Sequence, residues 1–322
     1  MKYKSKISYI ETYLPKNKIL IGKIFAKQNK RLLKKTGINK LWISDKNETS
    51  LDMGFKSAIK LKKKINFKEL DGLIFVSQSS DYFLPSSSCI LQDKLGLKKN
   101  TFCFDINLGC SGFLYALSVS TSMINSNLAK NILIICSDTY SKFIRKDNLS
   151  CKPIFSDGSS SIIISKTNQK FIGQFDFGTD GSGSNDLIVK SGGARSNFSS
   201  IAKPSIFMDG AKVFNFTLRT IPQSFQRTLK INKLNKKHLK KVFFHQASKF
   251  VLDNLNKALE LNSKQFYTNL KNIGNTVSST IPFALKEADK KKIIKKNDLI
   301  FLSGFGVGLS WSSCIIKWDK LK

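Results

Sequence analysis

With 322 residues, 41% of them hydrophobic, the chain is long enough for two domains or one large duplicated unit around a substantial core. Its 54 Lys and Arg against 22 Asp and Glu give a formal net charge of +32, which favours an acidic partner. The excess is mostly Lys, spread through "KNKRLLKK", "KLKKK" and "KLNKKHLKK", without the motifs or interleaved aromatics of a nucleic-acid binder.

At the N-terminus, "MKYKSKISYIETYLP" lacks the apolar segment of a secretory signal. The longest apolar runs, such as "NILIICSD", fall short of the roughly 20 residues that span a bilayer, so a cytoplasmic protein without membrane contact is expected. Six cysteines without a C-x-x-C pair and two histidines argue against a zinc site and a disulfide framework; no cofactor is expected. Strand-like apolar runs then alternate with amphipathic segments to the end of the chain, the pattern of an α/β protein with buried strands.

The first of these runs is "LIFVSQ" (73–78). The next, "DINLGCSGF" (105–113), places Cys110 between Gly109 and Gly112 where a strand-like run gives way to a helix-like one. A free cysteine is often a small core hydrophobe. At a helix N-terminus, however, the dipole lowers its pKa, and the unpaired backbone N–H groups can hold an oxyanion.

Three first-half segments recur in order in the second: "LIFVSQ" with "VFFHQ" (242–246), "NLGC" (107–110) with "NIGN" (272–275), and "NILIICS" (131–137) with "NDLIFLS" (297–303). Asn107 to Asn131 is 24 residues and Asn272 to Asn297 is 25. Two similar halves, 1–170 and 171–322, joined around 165–175, are expected. Superposing them pairs Cys110 with Asn275 and Ser77 with His245, and equivalent positions about a pseudo-twofold axis converge. Cys110, His245 and Asn275 are therefore candidates to meet in one cleft.

His245 ends an apolar run, where loops carry function; alone it would read as a core residue. His238 sits in the charged "KLNKKHLKK", which leaves His245 as the partner for a catalytic thiol. Asn275 is either a cap for the segment after it or a neutral amide that polarises a carbonyl. "LSGFGVGLSW" (302–311) is either a tight turn between strands or a set of backbone N–H groups aimed at a reacting oxygen. Its spacing is not that of a dinucleotide fingerprint.

Together "SDYFLPSSSCILQDKLGL", "FDINLGCSGFLYAL", "FSDGSSSIII", "TDGSG", "FFHQASKFVLD", "NIGNTVSSTIPFAL" and "GFGVGLSW" resemble, in order, the ketoacyl-acyl carrier protein synthase III family of the thiolase superfamily. The resemblance implies the five-layered αβαβα fold with two duplicated halves, and a homodimer in which the segment around Phe83 reaches the neighbouring subunit's acyl pocket. It implies decarboxylative condensation of an acyl-CoA with a malonyl-acyl carrier protein. Cys110 would be the nucleophile, His245 and Asn275 would serve decarboxylation, and the N–H groups of Cys110 and Val307 would hold the oxyanion. Gly306 joins the substrate-binding set.

The chain also departs from the family. Where many members carry Trp and Arg for the CoA base and phosphates, "RLLKKTGI" offers Arg31 and Lys35, so the aromatic stack is expected to be lost. The Arg that helps dock carrier protein falls on Phe250, and the glycine in the middle of the last turn is Val307. A relative that passes its acyl group to another acceptor, in polysaccharide or secondary-metabolite synthesis, is the alternative; retention of both His245 and Asn275 favours condensation. A nucleic-acid-binding or structural protein with Cys110 as an inert thiol is the remote one.

Overall fold

Successive side chains of a strand point to opposite faces, and Gly72–Val76 shows what that alternation buries. Ile74 and Val76 enter one apolar cluster, Leu73 and Phe75 another, and none of the four is accessible to solvent. A strand covered on both faces belongs to the interior of a layered protein. The computed structural model describes residues 1–24, 34–195 and 204–321.

The strands of the two large sheets are, in chain order, β1 (Ser5–Tyr13), β2 (Gly72–Val76), β3 (Phe102–Ile106), β4 (Asn131–Asp138) and β5 (Gly158–Lys166), then β6 (Ile172–Thr179), β7 (Lys241–Phe244), β8 (Phe266–Tyr267), β9 (Leu299–Gly306) and β10 (Ser310–Lys317). The first five form a sheet of order β1-β5-β4-β2-β3 and the second five a sheet of order β6-β10-β9-β7-β8. Pairing repeats as well. β2 is parallel to β3 and β4, as β7 is to β8 and β9. The β4–β5 and β1–β5 pairs are antiparallel, as are β9–β10 and β6–β10. One topology is thus built twice, with residues 167–171 between the copies.

Helices fill three layers. α1 (Ser50–Ala58) and α2 (Ser87–Lys94) cover the outer face of the first sheet through Leu51, Ala58 and Leu91. α4 (Gly210–Ile231) and α5 (Lys249–Ala258) cover the outer face of the second through Ile221, Phe225, Leu252 and Leu255. Between the sheets lie α3 (Gly112–Asn125) and α6 (Thr280–Lys290), whose Phe113, Leu117, Ile281 and Leu285 share a cluster with Ile134 of β4 and Leu302 of β9. This is the five-layered αβαβα arrangement of a thiolase-like fold.

Helix starts are closed in different ways, and on α2 the Asp105 carboxylate of β3 accepts from the amides of Ser87 and Ser88. Thr49 and Asp52 make a capping box on α1, Asp209 accepts from the amides of Ala211 and Lys212 on α4, and Ser248 accepts from Val251 on α5. Neither central helix has a side-chain cap: Ser111 and Ser279 make no such bond. Backbone bonds close their first turns instead: the Gly112 N–H donates to Gly109 O at 2.8 Å and the Leu114 N–H to Ser111 O at 3.0 Å, and the Thr280 N–H donates to Val277 O.

Candidate active site

Cys110 stands four residues past β3 and immediately before the uncapped start of α3. The β9–β10 hairpin lies directly against it. A Cβ added to Gly304 would be 2.7 Å from the Cys110 carbonyl oxygen, and one added to Gly306 would be 2.9 Å from both Cβ and Sγ of Cys110. The glycines of "SGFG" are therefore imposed by contact between two backbones. The stretch is a hairpin turn between β9 and β10, and its Val307 N–H is directed at Sγ.

Cys110 is buried, and burial pushes its thiol up to about 12, reinforced by the negative charge of Asp138. The N–H groups of Val307 and of Cys110 itself pull the other way. Sequence reasoning expected the helix terminus to lower this pKa. Desolvation outweighs it here because the sulfur lies beneath the surface, packed with Tyr140, Phe155 and Leu187.

His245 follows β7, and its backbone N–H donates to Ser303 O at 2.8 Å. Its Nδ1 is 2.7 Å from Thr280 Oγ1 and its Nε2 is 3.3 Å from Asn275 Nδ2. The edge of the Phe305 ring closes another side. Burial lowers the imidazole pKa to about 3 against a weaker opposing contribution from the Val277 backbone, so the ring is neutral at physiological pH. Asn275 Oδ1 accepts from the Val277 N–H at 2.9 Å. Its oxygen thus supports the turn after it, and that same bond turns Nδ2 toward His245.

A cavity of about 550 Å³ is lined by Cys110, His245, Asn275 and Gly306 at its buried end. The structure thus brings together residues 110, 245 and 275 from the two repeated topologies. At the outer end, Lys35 Nζ is 5.8 Å from the centroid of the exposed Phe250 ring, which stacks on Phe214 at 4.8 Å. The aromatic surface expected to be lost near residue 35 is therefore present at the mouth, contributed by α4 and α5. Phe83 lies elsewhere, 76% exposed on a loop tip with Tyr82 and Leu84. Arg31 lies outside the described residues.

Several neighbours were missed in the sequence. Asp138, fully buried at the end of β4, accepts from Gln78 N–H at 2.9 Å and Ser278 Oγ at 2.7 Å, tying the loop after β2 to the turn after Asn275. Burial raises its carboxyl to about 7. The "SD" after an apolar run gave no hint of this role, because a buried carboxylate is recognisable only once its partners are placed. Thr280 and Phe214 depend likewise on a turn and a helix crossing.

Two outcomes follow from this geometry. Gly306→Ala puts a methyl group against Sγ and should slow iodoacetamide alkylation of Cys110 about tenfold or more, with a stability cost of about 1–3 kcal/mol from overpacking; alkylation at the native rate would contradict the contact. The His245 ring signals in a proton spectrum should show no titration between pH 5 and 9, since its protonation lies near pH 3. A midpoint inside that window would show a charged ring in the working range.

The 3-oxoacyl-[acyl-carrier-protein] synthase III family model matches residues 104–181, and its C-terminal model matches residues 229–318. The chain is 36% identical over 343 aligned positions to a putative 3-oxoacyl-[acyl-carrier-protein] synthase 3 of Campylobacter jejuni, covering 99% of this chain and 95% of that protein. It is 34% identical to the beta-ketoacyl-[acyl-carrier-protein] synthase III of Clostridium tetani, with 92% of each covered. A crystal structure of a 3-oxoacyl-(acyl-carrier-protein) synthase III superposes with a TM-score of 0.94 at 31% identity, over 98% of this chain and 100% of that one. With the fold, the duplicated sheets and nearly full-length identity in agreement, the chain belongs to the 3-oxoacyl-[acyl-carrier-protein] synthase III family.

Proposed function

We propose that Cys110, His245 and Asn275 carry out the family's condensation in two half-reactions at one site. The chain is an acyltransferase of the condensing type, acting in fatty acid biosynthesis. The observation that supports these roles is the shared cavity, with the sulfur from one half and two neutral nitrogen groups from the other at its buried end.

In the first half-reaction Cys110 Sγ attacks the thioester carbonyl of an acyl-CoA. The N–H groups of Cys110 and Val307 hold the oxyanion. The bond from carbonyl carbon to CoA sulfur breaks, and the proton lost by Cys110 leaves with the CoA sulfur. The exchange is neutral overall, which suits a thiol that burial keeps protonated. Lys35 and the Phe214–Phe250 pair at the mouth receive the nucleotide end, a cation for phosphate and a ring face for the base.

In the second half-reaction a malonyl-acyl carrier protein enters. Its carboxylate leaves as carbon dioxide, and the electron pair of the broken C–C bond moves into the thioester as an enolate. His245 Nε2–H and Asn275 Nδ2–H stabilise that oxygen without carrying charge of their own. Thr280 Oγ1, 2.7 Å from Nδ1, holds the ring in this orientation. The enolate carbon attacks the acyl-Cys110 carbonyl, the C–S bond breaks, and the released thiolate takes up a proton. The product is a 3-oxoacyl-carrier protein.

The working unit in this reading is a cytoplasmic homodimer. Tyr82, Phe83 and Leu84 stand 62%, 76% and 82% exposed, an apolar tip suited to burial against a second copy. The cationic surface suits an acidic carrier protein. Among the described residues no helix is long and apolar enough to cross a membrane.

His245→Ala and Asn275→Ala should each retain acylation of Cys110 by acyl-CoA while lowering condensation about 10²–10³-fold, the usual loss for one oxyanion donor. Acylation is read by intact-protein mass and condensation by product formation. Condensation at the native rate in either variant would remove that residue from the decarboxylation step.

A further inference from the structure

A second cavity, of about 340 Å³, is lined by Gln78, Tyr140, Phe143, Leu187, Ile206 and Val307 among others. Tyr140, Leu187 and Ile206 belong to the same apolar cluster as Cys110. Gly109, the residue before the nucleophile, touches its polar end: a Cβ there would lie 2.5 Å from Gln78 Oε1, 2.9 Å from Val307 Cγ1 and 3.2 Å from Tyr140 Oη. Cys110 itself does not line it, but Val307, whose N–H is directed at Sγ, and Leu187, which also lines the 550 Å³ cavity, form its wall, so it lies next to the sulfur and is placed to hold the body of an acyl group attached there.

Most of that lining is apolar, but its inner end carries a fixed amide. Tyr140 Oη donates to Gln78 Oε1 at 2.7 Å, and the Gln78 backbone N–H donates to Asp138 Oδ1 at 2.9 Å. Tyr140 is 5% exposed and Asp138 is fully buried, so both anchors are rigid. With Oε1 committed to Tyr140, Gln78 Nε2 makes no hydrogen bond among the described residues, and Gln78 lines the cavity. An alkyl chain in the cavity gives that amide no partner, whereas a chain bearing oxygen accepts a hydrogen bond from it.

We propose that the acyl donor carries an oxygen substituent on its chain, a hydroxyl within a few carbons of the thioester, and that Gln78, held by Tyr140, is the residue that selects it. This rests on the reading that Cys110 takes the acyl group. Gln78 touches the acyl chain; Tyr140 acts through Gln78 as a positioning residue.

The test is the rate of Cys110 acylation, followed by intact-protein mass, with butyryl-CoA and with 2-, 3- and 4-hydroxybutyryl-CoA as matched donors. One hydroxybutyryl-CoA should acylate the native protein about three- to tenfold faster than butyryl-CoA, the scale of one neutral hydrogen bond to a half-buried amide. Gln78→Leu should bring that ratio to about one, and Tyr140→Phe, which keeps the amide but frees its anchor, should reduce it. The native ratio is read without any variant, so poor folding of Gln78→Leu does not decide the matter. Acylation by butyryl-CoA as fast as by every hydroxybutyryl-CoA, or an undiminished ratio in Gln78→Leu, would overturn the selection while leaving the acyl-cysteine intact. No adduct on Cys110 from any CoA ester would overturn the acyl-cysteine reading and this one with it.

Discussion

Everything in the site depends on how closely the β9–β10 hairpin approaches Cys110. Gly304 and Gly306 leave no room for a side chain against the Cys110 backbone and sulfur, so the backbone of one half serves directly as surroundings for the nucleophile of the other. That contact aims the Val307 N–H at Sγ. It also sets the depth at which the sulfur lies, and so its pKa. His245 is bound to the same sheet, through its N–H to Ser303 O on β9. Displacing the hairpin would move the Val307 N–H and the imidazole's support together.

The chemistry that results relies on fixed dipoles more than on ionised side chains. Burial keeps the Cys110 thiol protonated, His245 neutral and the Asp138 carboxyl near 7. A neutral imidazole and an amide can hold an enolate oxygen with no reorganisation and no counter-charge to desolvate. Charge is concentrated instead at the mouth and on the surface, where Lys35 and the many other lysines meet solvent.

Much of this was legible in the sequence. The continuous apolar runs "LIFV", "NILIIC" and "DLIFL" mark strands buried on both faces, and the three ordered matches between the halves fall at or beside equivalent strands of the repeated sheets. Cys110, His245 and Asn275 stood out because the duplication pairs their positions. The remainder was not legible because it depends on packing. The sign of the Cys110 shift turned on how far burial outweighs a helix terminus. Phe214 meets Phe250 only through the crossing of α4 and α5, and Gln78 meets Tyr140 only because β2 and β4 are neighbours.

The central claim is that one sulfur serves both half-reactions, and a mass-spectrometric chase tests it most directly. The native protein is loaded with an acyl-CoA, freed of excess donor, and mixed with malonyl-acyl carrier protein while intact mass and carbon dioxide are followed. A single acyl adduct, absent from Cys110→Ala, should form and then vanish in step with carbon dioxide release as the carrier protein gains the 3-oxoacyl mass. An adduct that also forms on Cys110→Ala, or one that persists while carbon dioxide is released, would contradict it.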